Sequence, residues 1–119
     1  MESEKPFLRV LEFDAFNGGV VLAVEGEIDL ATIEQIARPL TGICQRADAV
    51  TVDLRRVDFL DCLGLRTLVE LSTYGAEHDC RVEFIQGPPP VARVFELTGA
   101  SEQLAFVDAV SSPVAVTSA

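Results

Sequence analysis

The chain has no tryptophan, one histidine and no apolar stretch approaching the roughly twenty residues that a membrane-crossing helix needs. Val20-Val21-Leu22-Ala23-Val24 is as long as its apolar runs become, so no transmembrane segment is expected. With His78 alone, a multi-histidine metal centre is excluded. Cys44, Cys62 and Cys80 lie eighteen residues apart with no CxxC, which matches neither a zinc nor a haem motif, and no metal or other cofactor is expected. Basic residues are scarce as well. Nine stand against nineteen acidic ones, for a net charge of −10, and the longest basic run is Arg55-Arg56. A phosphate backbone would be repelled over most of such a surface, so nucleic acid is not an expected partner. Met1-Glu2-Ser3-Glu4-Lys5 lacks the basic start and apolar core of a secretory signal. The expected location is therefore the cytoplasm, where the three cysteines would be free thiols.

What is present is ordinary globular composition. With 119 residues, 49% hydrophobic and 24% charged, the chain can bury one real core without disulfides, and a single domain is expected. Residues 7 to 13 alternate imperfectly as a strand, and Asn17-Gly18-Gly19 supplies a tight turn. Val20 to Val24 is a second strand, with Gly26-Glu27-Ile28-Asp29 carrying the chain off its end. Thr32 and Gln35 have the spacing of a capping box, and Ile33, Ile36, Ala37, Leu40, Ile43 and Cys44 form one apolar stripe. A helix is expected from there to about Gln45, kinked at Pro39.

The stretch from Ala49 to Leu71 organises the rest. It reads as a short buried strand (Val50, Val52, Leu54), a polar loop containing Arg55-Arg56, a return to apolar residues at Val57 to Leu60, and a helix opening just after Asp61-Cys62. Leu65, Leu68, Val69 and Leu71 are its buried side, and it should end between Gly75 and Asp79. Arg81 to Ile85 is a further strand. Pro88-Pro89-Pro90 suits a first helical turn, Val91, Val94, Phe95 and Thr98 give a short helix stopped by Gly99, and Leu104 to Val107 forms a last strand. Residues 1–108 are assigned to the domain and 109–119 to a loosely held tail. This order argues for an α/β layer fold, its mixed sheet of about five strands covered by three or more α-helices.

Three segments in this order resemble the anti-sigma factor antagonist family, the STAS domain. They are Gly26-Glu27-Ile28-Asp29-Leu30-Ala31-Thr32; Val52-Asp53-Leu54 followed by Val57-Asp58-Phe59-Leu60-Asp61; and Gly64-Leu65 at the opening of the second helix. The resemblance spans residues 7 to 107. It implies a non-enzymatic interaction domain that binds a serine-kinase-type anti-sigma factor and so releases a sigma factor. In that family an Asp-Ser-x-Gly loop presents a serine that the kinase phosphorylates. The matching segment here is Asp61-Cys62-Leu63-Gly64, so Cys62 stands at the phosphoacceptor position. The resemblance places partner contacts at Asp29, Asp58, Asp61, Cys62, Leu63 and Gly64.

The physical chemistry of that position is specific. A phosphoserine at a helix start would bring about −2 charge into a partner interface where N–H dipoles tolerate it. A thiol does not hold phosphate stably from a serine kinase, so phosphorylation control is expected to be absent or replaced. Cys62 has two readings: an inert residue filling the place of serine, or a thiol sensor tuned by the helix start, which Asp61 opposes. Asp29 has two as well, a partner contact or a carboxylate favouring a helix dipole. Gly64 is expected to allow close backbone approach or an unusual φ. Cys44 belongs on a core stripe, and Cys80 is left open. A Cys62–His78 dyad is excluded, because a helix of about 14 residues would hold the two roughly 20 Å apart. A module serving another signalling assembly, or binding a small ligand, remains the third alternative.

Overall fold

The computed structural model describes residues 7–15 and 18–108. Five strands and three helices follow one another as β1 (Leu8–Asp14), β2 (Val20–Ile28), α1 (Glu34–Ile43), β3 (Ala49–Leu60), α2 (Cys62–Glu77), β4 (Arg81–Ile85), α3 (Pro89–Thr98) and β5 (Ala105–Phe106). The sheet order is β1-β2-β3-β4-β5. The β1–β2 pair is antiparallel, and every later pair, separated by a helix, is parallel. The expected α/β mixed sheet is thus the observed one. The hairpin turn at Asn17 falls outside the described residues, although Ala15 and Gly19 on its flanks are bonded, the Ala15 N–H donating to the Gly19 carbonyl at 2.9 Å. The tail from 109 onward also lies outside them.

Alternation along each strand decides where the helices go. Val20, Leu22 and Val24 of β2, Val50, Val52 and Leu54 of β3, and Val82 and Phe84 of β4 share one buried cluster with Ile36 and Leu40 of α1, Leu65 and Leu68 of α2, and Val91 and Phe95 of α3. All three helices therefore cover one face of the sheet. The opposite face carries Arg9, Leu11 and Phe13 of β1, Ala23 and Glu25 of β2, and Asp53 of β3. Strand β5, only two residues long, is held by aromatic packing. The Phe106 ring stands edge-on to Phe95 at 5.3 Å and tilted to Phe84 at 5.8 Å.

Two expectations are corrected. First, β3 is one continuous strand, and Arg55-Arg56 is part of it rather than of a loop. Ala23 and Glu25 of β2 pair with Asp53 and Arg56, and Gly26 and Glu27 pair with Val57 and Phe59, so β3 carries one extra residue at each of two places. These are β-bulges, and each breaks the two-residue alternation. Leu54, Val57 and Leu60 remain buried, while Arg55-Arg56 and Asp58-Phe59 are exposed as consecutive pairs. Second, Thr32 does not cap α1. The residue before the helix, Ile33, makes no side-chain cap bond. The Thr32 hydroxyl instead donates to the Glu27 carbonyl at 2.7 Å and accepts the Asp29 N–H at 3.0 Å. It is tied back to the end of β2, which leaves the capping box without its hydroxyl. Helix α1 runs through Pro39 to Ile43.

The first bulge has its own side-chain cap. Asp53 Oδ1 accepts the Arg55 backbone N–H at 3.0 Å, and both carboxylate oxygens take the Arg55 guanidinium, at 2.9 and 2.7 Å. Burial works against the charged carboxylate. The Arg55 hydrogen bonds and the charges of Arg55 and Arg56 outweigh it and hold Asp53 below the usual carboxylate range. A depressed native pKa stabilises the fold above the unfolded value of about 4, and that contribution is lost as pH falls through the native one. Asp53→Asn should therefore lower the unfolding free energy by about 1 kcal/mol at neutral pH, discounted for the exposed guanidinium. Urea melts of both proteins should converge as the pH is taken below 4.

Candidate functional site

The carboxyl ends of β2 and β3 lie side by side where α2 begins, the edge of a parallel sheet at which α/β folds commonly place their sites. Strand β2 leaves the sheet at Ile28, whose side chain is fully buried. Its carbonyl accepts the Asp61 N–H at 3.2 Å. A Cβ on Gly64 would sit 2.8 Å from Ile28 Cγ2 and 2.9 Å from the Ile28 carbonyl oxygen. Gly64 is thus present for close approach, with no positive φ involved. It lets the first turn of α2 rest directly on the end of β2.

Each carboxylate beside this junction serves its own loop. Asp61 is the N-cap of α2, and its Oδ1 accepts the Gly64 N–H at 2.7 Å. Asp29 Oδ1 accepts the N–H groups of Ala31 at 2.9 Å and Thr32 at 3.1 Å, closing the turn that leads to α1. Both side chains are therefore engaged in shaping the loops. The N–H groups of Cys62 and Leu63, at the first two helical positions, have no carbonyl of the helix to bond.

Cys62 is exposed at the first residue of α2. Three large apolar side chains are exposed toward this end of the sheet: Leu30, in the turn after β2, is 70% exposed, Phe59 48%, and Leu63, the residue after Cys62, 45%. Asp58, the extra residue of the second bulge, is exposed beside Phe59. The structure therefore brings Asp29, Asp58, Asp61, Cys62, Leu63 and Gly64 to one end of the sheet, with Gly64 buried beneath. Leu30 and Phe59 belong to this surface although sequence reasoning did not single them out. The available signal was a large apolar residue between polar ones, Asp29-Leu30 and Asp58-Phe59. Only the bulge turns Phe59 outward.

The remaining titratable candidates lie elsewhere. His78 is the C-cap of α2, its Nδ1 2.8 Å from the Tyr74 carbonyl oxygen and its ring stacked on Tyr74 at 4.0 Å. Cys44 and Cys80 are both buried in the core. Burial, then a hydrogen bond with the Cys80 thiol and its charge, push the Cys44 thiol up to about 12. Among the described residues no group of His, Cys, Asp and Glu side chains could hold a metal ion, and no helix is long and apolar enough to cross a membrane.

An α/β layer with its exposed site at a strand-to-helix junction is the class that these features define. The STAS domain family model matches residues 11–112, and the chain belongs to that family. Solved structures similar to it include an anti-sigma factor antagonist from Mycobacterium paratuberculosis, at 22% identity and a TM-score of 0.72, covering 92% of this chain and 93% of the other. The unphosphorylated anti-sigma factor antagonist SpoIIAA is 17% identical with a TM-score of 0.65, covering 87% and 91%. Phosphorylated SpoIIAA from Bacillus is 16% identical with the same score, covering 87% and 95%. At these identities the likeness is one of fold. No curated protein matches the chain in sequence.

Two outcomes check this geometry. In the native protein a thiol reagent such as DTNB should titrate one cysteine rapidly, Cys62, with all three reacting only after unfolding; Cys62→Ser should abolish the rapid phase. Gly64→Ala should destabilise by about 1–3 kcal/mol in denaturant melts, because α2 must move off Ile28.

Proposed function

We propose that this protein is an anti-sigma factor antagonist-like regulator that binds a serine-kinase-type anti-sigma factor through the surface around the start of α2. The observation that carries the reading is the exposure of Cys62 and Leu63 on the first turn of α2, with Leu30 and Phe59 exposed at the same end of the sheet, in a chain of the STAS family. Such a surface supplies what a protein contact needs at its centre. Large apolar side chains lose water there, and Asp58 at the margin contributes charge. Asp29 and Asp61 support it indirectly by holding the two loops, and Gly64 by seating the helix. Partner binding releases the sigma factor held by the anti-sigma factor.

Cys62 sets how the binding is regulated. A serine kinase transfers phosphate to a hydroxyl, and the first position of α2 offers a thiol. Thr67, the nearest hydroxyl in α2, donates to the Leu63 carbonyl at 3.2 Å one turn further along. The binding surface therefore stays competent where a phosphorylated relative would be switched off. The other two cysteines are buried, so a thiol-sensor reading would rest on oxidation of exposed Cys62 itself, to an anion such as a sulfinate, rather than on a disulfide.

The test is a binding measurement against the serine-kinase-type anti-sigma factors of the source organism, with ATP and Mg2+ present. Wild type should bind and take up no phosphate. Cys62→Ser should bind, become phosphorylated and lose affinity, and Cys62→Asp should bind poorly throughout. Phe59→Ala and Leu63→Ala should each weaken binding by about tenfold or more, the usual loss for a buried apolar anchor. Equal recovery of a partner by all five proteins, or no binding by wild type, overturns the reading.

A further inference from the structure

The face of the sheet opposite α1, α2 and α3 holds a concave site different in kind from the surface around Cys62. Its geometry comes from three cross-strand rows. Arg9 of β1 faces Glu25 of β2, which faces Arg56 of β3; Leu11 faces Ala23, which faces Asp53; Phe13 faces Val21, which faces Thr51. Ala23 is the smallest side chain in the middle of this arrangement, with Leu11, Phe13, Asp53, Glu25 and Arg9 around it. The result is a hollow of about 740 Å³, whose lining also includes Arg55 and Arg56. That volume lies within the range of small-molecule sites.

The charges of the hollow run against those of the chain. Three of its nine basic residues meet here, in a protein of net charge −10. Two are committed. Arg55 is bound to Asp53, and Arg9 lies 3.7 Å from Glu25. The Arg56 guanidinium makes no hydrogen bond or salt bridge among the described residues, although its charge acts on Asp53. The first bulge puts it there, since an unbulged strand would place Arg55 and Arg56 on opposite faces. Three guanidinium groups against Glu25 and Asp53 leave a local excess of one positive charge. That excess suits a single negative charge, while a dianion would meet both carboxylates. The planar fork of a guanidinium matches a carboxylate in two parallel hydrogen bonds. Leu11 and Phe13 on one side, over Ala23, offer an apolar bed.

We propose that the hollow over Ala23 binds a small amphiphilic monocarboxylate, its carboxylate on Arg56 with Arg9 and Arg55 flanking, its apolar body against Ala23, Leu11 and Phe13. The site shares no residue with the surface around Cys62, and its occupancy does not depend on the proposed partner. Binding alone is involved, with no bond made or broken.

The test is a titration of the full-length, 15N-labelled protein followed by amide chemical shifts, with phenylacetate and 4-methylpentanoate as probes. At least one should give saturable shifts confined to residues 9–13, 23–25 and 53–56, with a Kd of about 0.1–1 mM, as expected for so few heavy atoms. Phenylacetamide and inorganic phosphate should bind at least about tenfold more weakly, since the first lacks the charge and the second the apolar body. Arg56→Gln should weaken the carboxylate by about tenfold, and Ala23→Leu should remove its binding by filling the hollow. Retained amide dispersion establishes that each variant folds. If Ala23→Leu does not fold, exposed Arg56→Gln decides. Failure of both probes to saturate, equal binding of the amide or of phosphate, shifts centred on the start of α2, or an unchanged Kd in Arg56→Gln overturns the proposal.

Discussion

The contact between Ile28 and the Asp61–Gly64 turn is the constraint on which the candidate site depends. Two elements that leave the sheet in different directions are joined there through one backbone hydrogen bond and one missing Cβ. The turn after β2 is held by Asp29, the start of α2 by Asp61, and the Ile28 carbonyl connects the two. Because both carboxylates serve the backbone, the exposed part of this end of the sheet is left to Leu30, Asp58, Phe59, Cys62 and Leu63. On the proposed reading, a surface held this way would need little further ordering on association.

The two bulges of β3 decide which of its side chains are exposed. Each inserts a residue without breaking the strand, so the core positions Leu54, Val57 and Leu60 stay in the core. The second bulge exposes Phe59, opposite Glu27 near the end of the sheet, and the first exposes Arg56, opposite Glu25. In each case a consecutive exposed pair replaces the alternation that a regular strand enforces. Strand β3 is central, paired with β2 and β4, and a bulge there is a feature built into the pairing rather than a frayed edge.

The start of α2 is shaped by its backbone. The Asp61-Cys62-Leu63-Gly64 segment combines an N-cap at Asp61, a close approach at Gly64 and an exposed thiol at position 62. Cap and helix seating are backbone properties, indifferent to whether the next residue carries oxygen or sulfur.

Much was legible in the sequence because it depends on local pattern. The β-branched run of β2, the apolar spacing of α2, the prolines opening α3 and Gly99 closing it, with its φ of 81°, all act within a few residues of themselves. The order of these elements sufficed for an α/β layer, and the Asp61-Cys62-Leu63-Gly64 segment was enough to point to the helix start. What only the tertiary structure decided lies in partners distant along the chain. A bulge exists only relative to the neighbouring strand, so Arg55-Arg56 read as a loop and Phe59 as one more strand residue. Thr32 had the spacing of a cap, yet the Glu27 carbonyl at the end of β2 took its hydroxyl. Local pattern is a property of the residue and its near neighbours, whereas register and competition for a hydrogen bond are settled between segments that the fold alone brings together.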